Sequence, residues 1–116
     1  MSSYTLYHNP RCSKSRQALA LLEEKGIAPE IVRYLDTPPD AATLESLVGK
    51  LGLKRAHDLL RVKEAEYGQA KLSAQSSDDA VIKAMAKFPK LIERPILVHG
   101  KQAVIGRPPE KVLELL

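Results

Sequence analysis

A single cysteine, Cys12, stands among 116 residues, so no intrachain disulfide can form. Cys12 and the three histidines, His8, His57 and His99, show no metal-ligand spacing, and no metal site is expected. Tryptophan is missing and aromatics amount to 4%, which leaves the core to Leu, Ile, Val and Ala. No apolar run approaches the roughly 20 residues that span a membrane, and Met1 to Tyr7 lacks the basic-then-apolar pattern of an export signal. A free thiol without such a signal points to the reducing cytoplasm and away from the membrane. The charge excess is small, 18 Lys and Arg against 14 Asp and Glu. It is dispersed, with no basic arm and no aromatics interleaved with it, so nucleic acid is not an expected partner. A mild local positive field would instead favour a small anion.

What is present reads as one domain over residues 1–116. Thr5-Leu6-Tyr7 predicts a short strand that stops at the turn signal Asn9-Pro10. Ala18, Leu21 and Leu22 recur at helical spacing, and Gly26 falls just past the helix end. Glu30 to Leu35 predicts a second strand, which makes a parallel β-α-β unit. A helical insert follows at about 40–88. Leu44, Leu47, Val48 and Leu51 line one helix face there, two short helical pieces fall between 54 and 70, and Ser76 to Asp79 cap a further helix. Pro95 to Val98 and Ala103 to Ile105 read as a hairpin around Gly100-Lys101. A last helix runs through Val112, Leu113 and Leu116. The expected fold class is α/β, thioredoxin-like, with a four-stranded mixed sheet in the order β-α-β, helical insert, β-β-α.

The chemistry concentrates in His8-Asn9-Pro10-Arg11-Cys12-Ser13-Lys14-Ser15-Arg16, which leaves a strand and opens a helix. A helix start carries unpaired N–H groups and partial positive charge, which stabilise an anion. Cysteines in such settings have pKa values lowered to roughly 3.5–7.5, so Cys12 is expected to be largely thiolate. Arg11, Lys14 and Arg16 add to the effect. The spacing Cys12-x-x-Ser15 puts serine where a dithiol site has its second cysteine. Serine cannot resolve a mixed disulfide, so any reductase cycle must borrow an external thiol. The Ser15 hydroxyl could hydrogen-bond the thiolate or a bound oxyanion, or be a plain first-turn residue. His8 could bond the thiolate, shuttle a proton, or simply end the strand.

The pattern His-x3-Cys-x3-Arg after an N-terminal strand resembles the glutaredoxin-coupled arsenate reductase family. Tyr34-Leu35-Asp36-Thr37-Pro38-Pro39, Leu59-Leu60-Arg61, Leu91-Ile92-Glu93-Arg94-Pro95-Ile96 and Gly106-Arg107-Pro108 extend the resemblance over nearly the whole chain. It implies that Cys12 is the catalytic nucleophile and that Arg61, Arg94 and Arg107 bind the oxyanion. It implies supporting roles for His8, Ser15 and Arg16, and the place of the fold's cis-proline for Pro95. It also implies arsenate as substrate, glutathione as co-substrate, glutaredoxin as partner and no bound cofactor.

Charge accounts for three arginines. A thiolate meeting a dianion at about 4 Å, in an effective dielectric near 20, is repelled by roughly 8 kcal/mol. Left uncompensated, that is on the order of a millionfold in rate. Guanidinium forks bind tetrahedral oxyanions bidentately and offset it. Two other readings stay open. Spx-type regulators share the fold and bind RNA polymerase, but their switch is a Cys-x-x-Cys pair that this chain lacks. The other is a glutathione-dependent thiol transferase that does not act on arsenate.

Overall fold

The computed structural model describes residues 4–116. The chain folds into two compact units. One runs to Thr37 and resumes at Arg94–Leu116; the other is Pro38–Glu93.

The first unit carries the sheet. Strand β1 (Tyr4–Tyr7) leads into helix α1 (Ser13–Glu24), and the chain returns as β2 (Glu30–Val32). Two strands, β3 (Ile96–His99) and β4 (Gln102–Ile105), form a hairpin, and a 3-10 helix over Pro109–Leu115 closes the chain. The sheet order is β2-β1-β3-β4, with β1 parallel to β2 and antiparallel to β3. This is the α/β, four-stranded mixed sheet that the element order predicts. The crossover through α1 dictates the parallel pair, and the two-residue connection Gly100-Lys101 dictates the antiparallel one.

Strand register follows burial. Leu6 lies opposite Leu97, and both are fully buried with Ala18, Leu22 and Val112. Ala18 and Leu22 are one helical turn apart, so α1 lays one face on the sheet. Gly26, at φ +78, takes the left-handed conformation that ends α1. The second strand is shorter than its apolar run suggests. It stops at Val32 because the amides of Asp36 and Thr37 both turn back to the Arg33 carbonyl, at 2.9 Å each. Tyr34, 1% exposed, then packs as a core residue from a turn and not from a strand.

The second unit contains α2 (Ala41–Lys50), α3 (Ala65–Gln69), α4 (Asp78–Lys87) and two 3-10 turns, Ala56–Leu59 and Pro89–Leu91. Ser77, within the predicted cap cluster, accepts from the Ala80 amide, and Asp40 caps α2 by accepting from the Thr43 amide. Leu44, Leu47, Val81, Ile82 and Met85 are buried. A short antiparallel bridge, Leu60 to Ile92, is flanked by Arg61 N–H donating to Leu91 O at 2.8 Å and Glu93 N–H donating to Leu59 O at 2.9 Å.

His57 and His99 are half-buried. His57 Nε2 lies 3.0 Å from the Tyr67 hydroxyl. His99 stacks on Tyr4, with ring centroids 4.1 Å apart.

Candidate active site

Cys12 is the N-cap residue of α1, in extended conformation, and its side chain makes no capping hydrogen bond. The thiol is half-buried and remains available for chemistry. The first helical bond is Arg16 N–H to Cys12 O, at 3.0 Å. The amides of Ser13, Lys14 and Ser15 therefore precede the helical ladder and leave the positive end of α1 next to Cys12.

The turn that presents Cys12 is tied at four points. Cys12 N–H donates to Asn9 O at 3.0 Å, and Arg11 N–H donates to Asn9 Oδ1 at 3.0 Å. Asn9 N–H donates to Ser15 Oγ at 3.1 Å. Arg16 Nη1 donates to Pro10 O at 3.0 Å, so this guanidinium braces the turn. Asn and Pro are turn formers in their own right, and the reach-back from the first turn of α1 locks what they start.

His8 directly follows β1 as a buried residue, 6% exposed, and Ser15 is fully buried. Their side chains meet, Ser15 Oγ to His8 Nδ1, at 2.7 Å. Ser15 Oγ also accepts from Asn9 N–H, so one serine oxygen joins the imidazole to the loop amide. Burial lowers the His8 pKa below its ordinary value of 6.5, and the nearby Arg33 and Arg16 charges lower it further. His8 is thus held neutral near pH 7.

Arg94 and Arg107 flank the hairpin in the same unit as Cys12. Arg94 is half-buried and Arg107 exposed, and Arg107 Nη1 reaches the Arg94 carbonyl at 3.5 Å. The Arg94–Pro95 and Arg107–Pro108 peptide bonds are cis. Gly106 N–H donates to Pro95 O at 2.8 Å. A Cβ on Gly106 would lie 2.9 Å from Pro95 Cγ and 3.0 Å from Val112 Cγ1. Only glycine lets the two arginine-bearing segments approach this closely.

Arg61 belongs to the second unit, where two carboxylates hold it. Its Nη1 is 2.6 Å from Glu64 Oε1 and its Nε is 3.7 Å from Glu93 Oε1.

Sequence reasoning passed over Arg33. It stands one residue beyond β2, beside the end of β1, and with Arg11 and Asp36 it lines a cavity of about 330 Å³. The available signal was its position, since open α/β sheets take ligands at the carboxyl ends of parallel strands. Among the described residues no group of three or more His, Cys, Asp or Glu is arranged to hold a metal. No helix among them is long and apolar enough to cross a membrane.

The sequence profile of the ArsC family matches residues 7–115. An Escherichia coli K12 protein named uncharacterized protein YfgD is 54% identical over 112 residues, covering 96% of this chain and 94% of its own. A protein of Neisseria meningitidis serogroup A named arsenate reductase is 48% identical over 117 residues, covering all of both chains. Among solved structures, arsenate reductase from Vibrio cholerae superposes with a TM-score of 0.94 at 53% identity, covering 98% of each chain.

Proposed function

The chain belongs to the ArsC family, and from that premise we propose that it reduces arsenate to arsenite with glutathione and a glutaredoxin as electron source. The observation that carries the reading is the setting of Cys12. It is the lone cysteine, at the N-terminus of a twelve-residue helix, with its thiol not used for capping. A chain with one thiol can form a sulfur–arsenic bond but cannot deliver two electrons from its own cysteines.

In the proposed cycle the Cys12 sulfur attacks arsenic, and one oxygen leaves as water. The glutathione sulfur then bonds to arsenic and displaces a second water. A glutaredoxin thiolate attacks the glutathione sulfur, forming a disulfide. The sulfur–arsenic electron pair stays on arsenic, which becomes As(III). Water then releases arsenite from Cys12. Arg94 and Arg107 offset the repulsion between thiolate and oxyanion. His8, Ser15 and Arg16 serve by holding the turn, and Pro95 by shaping the segment that bears Arg94. The cycle suits a reducing compartment, and the cytoplasm is the proposed one.

The test is NADPH oxidation in a coupled system of glutathione reductase, glutathione, glutaredoxin and arsenate. The expected result is arsenate-dependent turnover that Cys12→Ser abolishes while the melting temperature stays within a few degrees. No turnover by a chain whose thiol alkylates normally would reject arsenate as substrate. Turnover by Cys12→Ser would reject the nucleophile.

A further inference from the structure

We infer that the cavity beside the Cys12 turn binds the peptide thiol of the cycle, through its two carboxylates and one ammonium. This inference rests on the thiol-coupled reading above. The cavity measures about 330 Å³. Ligand pockets run from roughly 300 to 1,000 Å³, so this one suits a ligand of tripeptide size.

The lining has a distinctive charge pattern. Arg11 and Arg33 bring two guanidinium groups, and Asp36 brings one carboxylate. Among the described residues, none of these three side chains makes a hydrogen bond or ion pair within the protein. Guanidinium forks receive carboxylates, and a carboxylate receives an ammonium. Two cations and one anion therefore mirror a dicarboxylate that carries one ammonium. Asp36 also discriminates: it repels an inorganic dianion and attracts a zwitterion. Pro10 and Leu35 supply apolar wall for the methylene chain of a peptide.

Position ties this cavity to the reaction. Pro10 and Arg11 line it, and they belong to the turn whose next residue is Cys12. The turn is held by the Asn9 and Arg16 hydrogen bonds, so a ligand resting on it rests on the loop that carries the nucleophile. The cavity also sits where β1 and β2 end side by side, the crevice position of a parallel pair. Both arginines are solvent-exposed, so each contact is screened and the affinity is modest.

The experiment is calorimetric titration of the full chain with S-methylglutathione, which keeps both carboxylates and the ammonium but has no thiol. The wild-type chain is expected to bind it saturably, and Arg33→Glu and Arg11→Glu to weaken binding at least tenfold each. Asp36→Asn is expected to weaken S-methylglutathione severalfold, yet leave its N-acetylated form unaffected. Melting curves verify that each variant is folded. Absence of saturable binding to the wild type, or wild-type affinity in both folded arginine variants, overturns the proposal. Because the probe cannot react, the two readings fail separately. Arginine-dependent binding without arsenate turnover supports the site and rejects the activity. Turnover without binding overturns the site alone.

Discussion

Ser15 Oγ lies 2.7 Å from His8 Nδ1, and both residues are buried. This contact joins the end of β1 to the first turn of α1, across the loop that presents Cys12. Ser15 thus acts on the geometry of the loop through the imidazole and the Asn9 amide.

Ser15→Ala would leave the His8 Nδ1 and the Asn9 N–H without this partner. Stranding buried polar groups costs about 1–3 kcal/mol. Urea unfolding should show a loss of that size. A loss below about 0.5 kcal/mol would mean that the loop satisfies these groups in another way.

The pH dependence has a definite sign. The folded His8 pKa lies below 6.5, through burial first and then through Arg33 and Arg16. Well above 6.5 the ring is neutral in both states and contributes no slope. As the pH falls below 6.5, the unfolded chain takes up a proton that the folded His8 resists, so stability falls. The wild type should therefore lose melting temperature from pH 6.5 downward more steeply than His8→Gln. Asp40, whose pKa is lowered by the Thr43 amide, acts only below its ordinary 3.8, so the two windows separate. Parallel slopes for wild type and His8→Gln between pH 7 and 5 would contradict the assignment.

Gly106→Ala should destabilise the fold by about 1–3 kcal/mol, the usual cost of an overpacked methyl. The new Cβ meets the Pro95 ring at 2.9 Å and Val112 at 3.0 Å. A proline ring has no rotamer into which to retreat. Thermal melting measures the effect, and an unchanged melting temperature would show that the hairpin yields.

Glu64→Gln frees Arg61 from its shorter ion pair, 2.6 Å, and leaves the longer one to Glu93, 3.7 Å. The pair is partly exposed, so its strength is discounted to about 0.5–1 kcal/mol. Urea unfolding should show a loss of that size. A loss below about 0.2 kcal/mol would mean that the pair to Glu93 suffices to hold Arg61.

Arg94→Ala should raise KM for arsenate about tenfold or more, the scale of one lost charge-assisted hydrogen bond. The rate of Cys12 alkylation by iodoacetamide should change far less. Equal losses in both would mean that Arg94 acts on the thiol or on the fold.

Much of this was legible in the chain. Periodicity at Ala18, Leu21 and Leu22, the Gly26 stop and the Gly100-Lys101 turn are local signals, and the elements they predict are present. The placement of Cys12 at a helix start follows from Asn9-Pro10 ahead of it and apolar spacing behind it. The end of β2 was not legible, because Glu30 to Leu35 is one apolar-rich run and nothing in it marks the turn at Arg33. The half-buried settings of His57 and His99 were not legible for a similar reason: their ring partners, Tyr67 and Tyr4, are 10 and 95 residues away.

The sequence by itself determined the single-thiol chemistry, since a lone cysteine excludes an internal dithiol whatever the fold. It also determined the element order and the capped start of α4, because these depend on neighbours a few residues apart. Tertiary structure alone decided what each polar side chain meets. It turned Ser15 toward His8, Arg16 toward the Pro10 carbonyl and Arg61 toward two glutamates, and it joined Arg33 to the Cys12 turn through a shared cavity. Hydrogen bonds and ion pairs depend on distances of a few ångströms, and those distances arise only once the strands have chosen their neighbours.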